Sequence, residues 1–257
     1  MKTARRLSPL PLLLILALLI FTAGLITGWT GASAQEQFAQ KTLNVQNPAP
    51  EETGLPLPTP TPIPSRSAAP QDSWALALVN FDHPLPDSFA VPELTRLRNG
   101  QAIDSRAYPA LQAMMDDARA AGLQPLICSS YRTWDTQERL FEAEVRRWLA
   151  RGYIGEDAEA QAAMWVARPG TSEHQLGLAV DIVDLSYQVL DEGQENTPVQ
   201  QWLMAHCWEY GFILRYPTDQ SGLTGIGYEP WHYRYVGAEA AREMAERGVC
   251  LEEYLSQ

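Results

Sequence analysis

The residues best suited to chemistry in this chain fall in two short stretches, Ser172-Glu173-His174-Gln175-Leu176-Gly177-Leu178-Ala179-Val180-Asp181 and Glu229-Pro230-Trp231-His232. Together they supply two histidines, an aspartate and a spare glutamate. A zinc ion bound by three protein side chains keeps a fourth position open for water, and a nearby carboxylate can take that water's proton. The inventory for metal-assisted hydrolysis is thus present in two segments.

The spacing constrains how those groups could meet. Ligand atoms about 2 Å from one ion lie within roughly 4 Å of each other. On one continuous helix the backbones of His174 and Asp181 would stand about 10 Å apart, a poor match. Gly177 breaks such a helix and lets the chain turn into a strand. There Leu178, Val180 and Ile182 occupy one face, and Ala179, Asp181 and Val183 the other. Small Ala179 beside Asp181 leaves room for an ion or substrate. An aspartate on an otherwise apolar strand needs explaining, because a lone buried carboxylate is costly unless paired or metal-bound.

Pro230 excludes a regular helix in the second stretch, so this is not the helical HExxH arrangement. Glu229 and His232 are expected on a turn or a kinked strand entry. Either stretch alone also fits an ordinary structural role, such as an exposed loop anchored by a buried Trp231. That reading weakens because two of the chain's four histidines fall in the two stretches. His83, before Pro84, and His206, within a helical run, look structural.

The elements that must position these groups are readable in outline. Asp104 or Ser105 can cap a helix running through Tyr108, Leu111, Met114, Met115 and Ala118, with Gly122 just past its end. Gln124 to Ser129 reads as a short strand. A second helix is expected from about Thr133 to Ala150, with Leu140, Phe141, Val145, Trp148 and Leu149 inward, and a third from Asp157 to Ala167, ending before Pro169. Leu178 to Val183 reads as a strand, and Thr197-Pro198 starts a helix that stops at Gly211. Phe212 to Arg215 and Tyr233 to Val236 are further strands, and Ala238 to Arg247 forms a last helix closed by Gly248. Helices and short strands mix without a regular βαβ rhythm, which favours α+β over a doubly wound sheet.

Ahead of this unit stand two segments of other character. Lys2, Arg5 and Arg6 precede an uncharged apolar run from about Leu10 to Ile26, and Ala32-Ser33-Ala34 offers a small-x-small cleavage site. Residues 1–34 therefore read as a signal peptide or an uncleaved N-terminal membrane anchor. Either delivers the remainder outside the cytoplasm, secreted or held at the outer face of the membrane. Residues 35–72 are rich in proline, from Asn47-Pro48-Ala49-Pro50 to Pro62-Ile63-Pro64, and read as an extended linker without a core of its own. Residues 73–257 form the folded domain, long enough for one hydrophobic core.

Charge narrows the partners. The chain carries −12, and loss of the three basic residues of the first segment takes it to −15. So acidic a protein has no electrostatic route to non-specific nucleic-acid binding and is repelled by anionic membrane surfaces. Three scattered cysteines, Cys128, Cys207 and Cys250, make no disulfide framework, although export permits one bridge, with Cys207–Cys250 conceivable. None has a CxxC partner, which argues against a cysteine-built zinc site.

The pattern Ser172-x-His174-x-x-Gly177-x-Ala179-x-Asp181, followed by Glu229-Pro230-Trp231-His232, resembles the zinc D-alanyl-D-alanine carboxypeptidases of the VanY type. Their superfamily includes lysostaphin-type endopeptidases and the hedgehog signalling domain. Ser129-Ser130-Tyr131-Arg132-Thr133, with Gln137 downstream, looks like that family's arginine-bearing motif, although the family often shows Ser-Gly-Tyr-Arg-Ser there. The similarity extends from about Val79 to Val236. It implies a single compact α+β domain, with a small antiparallel sheet carrying the zinc site and helices flanking it. It also implies that His174, Asp181 and His232 hold one zinc ion, that Glu229 is the general base, and that Arg132 is the cation facing substrate. Ser172 is a candidate hydrogen-bond donor to substrate, or else caps a local turn.

The expected function is that of an exported peptidase trimming the terminal D-alanine from peptidoglycan stem peptides ending in D-Ala-D-Ala. The alternatives are an L,D-endopeptidase or D,D-dipeptidase of the same superfamily, or a zinc-stabilised wall-binding module without turnover. Retention of Glu229 speaks against the last, since zinc binding does not require it.

Overall fold

The structure, a computed structural model, describes Ser73–Gln257 apart from Asp87. The expected export segment and the proline-rich linker, together residues 1–72, lie outside the described residues. Among the described residues no helix is long and apolar enough to cross a membrane.

The described residues open with a single 3₁₀ turn at Ser73–Leu76, followed by a small antiparallel hairpin of β1 (Leu94–Arg96) and β2 (Ala102–Asp104). Helix α1 (Tyr108–Ala120) follows, then β3 (Pro125–Ser129), α2 (Trp134–Ala150) and α3 (Gly155–Ala163). A 3₁₀ turn at Glu173–Leu176 leads into β4 (Ala179–Asp184), and α4 (Pro198–His206) into β5 (Phe212–Leu214). A one-turn helix α5 (Ser221–Thr224), β6 (His232–Tyr235), α6 (Ala238–Arg247) and α7 (Leu251–Leu255) complete the domain. The four longer-range strands make one antiparallel sheet in the order β3-β4-β6-β5. The architecture is the expected α+β arrangement, a small antiparallel sheet flanked by helices.

The sheet separates two environments. Leu178, Val180 and Ile182 join Tyr233 and Phe212 in a core with Leu111, Met114 and Met115 of α1 and Val199 and Leu203 of α4. Each such fully buried side chain contributes about 1.5–3 kcal/mol. Alternation along β4 turns Asp181 to the opposite side. Gln200 on α4 ties the layers together, its amide donating to the Ile182 carbonyl while its side-chain oxygen accepts from the Tyr233 hydroxyl at 2.7 Å. A second, smaller core of Ile213, Val236, Ala241, Met244, Leu251 and Tyr254 seats α6 and α7.

Several local expectations are corrected. Neither Asp104 nor Ser105 caps α1, whose N-cap is Ala107 without a side-chain bond. Asp104 instead accepts from the Arg106 amide and guanidinium, and the Ser105 hydroxyl accepts from Thr95. Along α2 the buried residues are Gln137, Phe141 and Glu144, whereas Leu140 and Leu149 are exposed. Helix α3 begins and ends earlier than expected, stopping at Ala163, well short of Pro169. The helix begun at Pro198 tightens to a 3₁₀ turn at Cys207–Tyr210 before Gly211. All three cysteines are free, so Cys207 and Cys250 form no bridge.

Gly177 is the hinge between the 3₁₀ turn and β4. It sits at φ +76°, and its carbonyl accepts from the Asp104 amide at 2.8 Å. A Cβ added there would lie 3.2 Å from Leu94 Cδ2 and 3.4 Å from the Asp104 nitrogen. Gly177→Ala should therefore destabilise the domain by about 1–2 kcal/mol from the left-handed backbone alone. Urea unfolding measures this, and an unchanged midpoint would refute it.

Candidate metal centre

Sheet register builds the site. Asp181 on β4 lies directly opposite His232 on β6, and Ser129 on β3 opposite Asp181 on its other side, next to an irregularity after Ile127. Cross-strand neighbours have Cβ atoms only about 4.5–5.5 Å apart, so pairing alone brings the aspartate and the second histidine together. His174 arrives from the 3₁₀ turn and is held by β3's extension. Its Nδ1 lies 2.7 Å from the Ser130 carbonyl, while its own carbonyl accepts from the Arg132 amide at 3.1 Å. A carbonyl can only accept, so Nδ1 of His174 carries the proton and Nε2 offers a lone pair. That Nε2 lies 3.3 Å from Asp181 Oδ2.

On the other side His232 Nδ1 lies 3.2 Å from Asp181 Oδ1 and 3.4 Å from Glu229 Oε2. The two imidazoles meet nearly edge to face, centroids 4.9 Å apart. One ligand atom from each of His174, Asp181 and His232 falls within 4.8 Å of the others, and all three residues are buried. Glu229, in the turn before β6, accepts from the His232 amide through its backbone carbonyl.

The donor set fits a cation. Among the described residues four buried side-chain polar atoms lack a hydrogen-bond partner, and three of them, Asp181 Oδ1, His232 Nε2 and Glu173 Oε2, belong to this cluster. Such orphaned atoms cost about 1–3 kcal/mol each unless something compensates them; a positive ion would compensate Asp181 Oδ1, while the other two face each other 3.5 Å apart. Two imidazole nitrogens and one carboxylate match the ligand types of a three-residue zinc site with an open position.

The electrostatics reflect burial set against neighbours. Burial pushes the His174 imidazole down to about 4, helped by the Arg132 charge. Burial would raise the Asp181 carboxyl, but His174, His232 and Arg132 hold it well below the usual carboxylate range. Glu229 is pushed up to about 8 by burial, with His232 opposing and Asp181 adding.

These groups open onto a cleft of about 830 Å³, whose walls include Arg132, Ser172, Trp165, Tyr216 and Trp231. The sequence profile described as VanY, D-alanyl-D-alanine carboxypeptidase, matches residues 100–238. A D-alanyl-D-alanine carboxypeptidase of Enterococcus faecalis is 47% identical over 186 residues, 72% of this chain and 67% of that protein. The chain belongs to the VanY D-alanyl-D-alanine carboxypeptidase family.

Two solved VanY structures share its fold at 47% identity. VanYB in complex with D-alanine-D-alanine superposes with a TM-score of 0.66, covering 72% of this chain and 98% of that one. A mutant D,D-pentapeptidase VanY from a VanB-type vancomycin-resistance cassette, in complex with Zn(II), gives 0.65 over 71% and 99%.

The remaining candidates of this VanY-family site lie as follows. Arg132 stands at the cleft with Nη2 2.8 Å from Asp181 Oδ2, its Nε and Nη2 donating to Ser129 Oγ and its Nη1 to Gln137 Oε1. Ser172 is buried in the cleft wall, and its hydroxyl does not cap the following turn. His83 and His206 lie apart on the surface, beside Asn80 and Glu209.

One cluster escaped the sequence reading. Glu173, Arg215 and Arg234, joined by the half-buried Glu252, form an ionic network behind His232, with Arg215 and Arg234 wholly inaccessible. Glu173 Oε1 accepts from Arg215 Nε at 2.7 Å and from Arg234 Nη1 at 2.8 Å. A signal existed: Arg234 follows His232 by two residues on one strand and so shares its face.

Proposed function

We propose that this chain is an exported zinc carboxypeptidase that removes the terminal D-alanine from peptidoglycan stem peptides ending in D-Ala-D-Ala. The observation that carries the reading is the convergence of His174 Nε2, the Asp181 carboxylate and His232 Nδ1 beside Glu229 at the cleft floor. Support comes from the family membership, and from relatives whose names and structures specify the same activity, D-Ala-D-Ala and Zn(II). Export rests on the signal-like residues 1–34 and the proline-rich linker that follows.

In this reading His174, Asp181 and His232 would hold the zinc. When bound, the ion supplies Lewis acidity, making water a better nucleophile near neutral pH and polarising the scissile carbonyl. Glu229 accepts the proton of the attacking water and returns it to the departing amine nitrogen. Arg132 brings a fixed positive charge to the cleft, suited to the developing oxyanion and to the terminal carboxylate alike. Ser172 is the hydrogen-bond donor to substrate on the same wall.

Purified protein loaded with zinc should release D-alanine from a synthetic pentapeptide ending in D-Ala-D-Ala. A chelator should abolish this release and added zinc restore it. No metal-dependent D-alanine release would refute the proposal. Mass spectrometry of digested muropeptides should show loss of a single alanine; internal cuts, or cleavage of the free dipeptide alone, would reassign the specificity.

A further inference from the structure

Behind the metal cluster lies an unusual pair of atoms. Glu173 Oε2 and His232 Nε2 are both buried, both without a hydrogen-bond partner, and 3.5 Å apart. Each is what the other lacks: a carboxylate oxygen accepts, and an imidazole nitrogen donates when it carries the proton. Their environment gives neither much freedom. Arg215 and Arg234 both donate to Glu173 Oε1, which fixes the plane of the carboxylate and leaves Oε2 facing the ring. The Arg215 backbone amide, just past β5, also donates to the His232 carbonyl at 3.1 Å, and Arg234 follows His232 on β6, so both guanidiniums are tied to the backbone that carries the histidine. The two guanidiniums are themselves anchored, Arg215 on Glu252 and Arg234 on the carbonyls of Ala75 and Ala77.

The other ring nitrogen, Nδ1, faces Asp181 and Glu229. A neutral imidazole has one protonated and one free nitrogen, so whatever fixes the proton on Nε2 frees Nδ1 for coordination. For His174 the Ser130 carbonyl fixes the proton on the opposite nitrogen. For His232 the facing acceptor is Glu173.

We propose that Glu173 is a positioning residue that holds His232 in its Nε2–H tautomer and thereby presents Nδ1 to the metal. This rests on the reading above, that the His174–Asp181–His232 cluster holds zinc. The residue touches neither substrate nor ion; it acts through the imidazole. Its place between Ser172 and His174 follows from the same geometry, since the turn that delivers one ligand also delivers the support of the other.

Glu173→Gln isolates the effect. The amide oxygen would stay on Arg215 and Arg234, turning the amide NH₂ toward His232 Nε2. Facing a donor, Nε2 must become the acceptor, which moves the ring proton to Nδ1 and blocks coordination. Zinc affinity, measured on purified protein by competition with a chromophoric chelator, should fall about 10–100-fold while far-ultraviolet circular dichroism is retained. Affinity within twofold of wild type in the folded variant would overturn the inference. Because the variant leaves two buried arginines short of a charge, nitrogen-15 spectra of the zinc-loaded wild type give a test independent of its folding. They should show His232 protonated at Nε2 and metal-bound at Nδ1, and the reverse assignment would overturn the inference. Wild-type protein that takes up no zinc would overturn the metal reading and this inference together, whereas normal uptake with an unaffected Gln variant overturns only the role of Glu173.

Discussion

Glu229→Gln should lower kcat/KM for a peptide ending in D-Ala-D-Ala by roughly 10²–10⁴-fold, the usual contribution of a positioned acid–base group, while zinc content stays unchanged. The substitution keeps the shape of the side chain and removes its capacity to accept a proton. Metal retention is expected because the proposed ligand atoms come from His174, Asp181 and His232, and the Glu229 carboxylate lies beside the cluster, 3.4 Å from His232 Nδ1, without being one of them. A buried carboxyl at this position is a stronger base than one in water, since burial disfavours its charged form and pushes it up to about 8. Paired measurements of turnover and metal stoichiometry separate the possibilities. Full zinc with activity within a few-fold of wild type would remove Glu229 from the proton path. Loss of both would make it a ligand or a structural support rather than a base.

The second large effect concerns stability. Arg234→Met should destabilise the domain by about 3–5 kcal/mol, the usual cost of removing one partner from a buried ion pair. Arg234 is wholly buried and donates to Glu173 and to the carbonyls of Ala75, Ala77 and Tyr235. Removing it leaves a carboxylate with half its compensation and three carbonyls short of a donor, in a domain whose whole margin is on the order of 5–15 kcal/mol. The network also ties distant parts of the sequence together, because Ala75 and Ala77 belong to the first described residues and Arg234 to β6, the last strand in chain order. Glu173→Met combined with Arg234→Met should cost less than the sum of the single changes, since the double variant no longer strands the carboxylate. Chemical denaturation of the four proteins tests this. Strict additivity, or an Arg234→Met loss below about 1 kcal/mol, the level expected of an exposed pair, would refute it.

These two predictions mark how differently chemistry and support are written in the chain. Residue type and local spacing sufficed to single out His174, Asp181, Glu229 and His232, because a histidine or aspartate amid apolar residues is conspicuous and Gly177 announces the turn between them. Helices with strong stops were equally legible: α6 runs from Ala238 to Arg247 with Gly248 at φ +63°, and α2 has Thr133 as its side-chain cap. The β1–β2 hairpin was not legible. Its three-residue strands carry no alternation long enough to read, and it exists because Gly177 and the Ser129–Tyr131 segment give it hydrogen-bond partners.

The order of chemistry-bearing residues and the breaks between elements were thus local properties, present in neighbouring side chains before any folding. Tertiary structure alone decided that Asp181 stands opposite His232, because register is a relation between strands distant in sequence. It alone also placed Glu173, Arg215 and Arg234 in the interior. In a sequence such charges read as surface, because a charge is buried only when its partner is, and those partners lie 42 and 61 residues away.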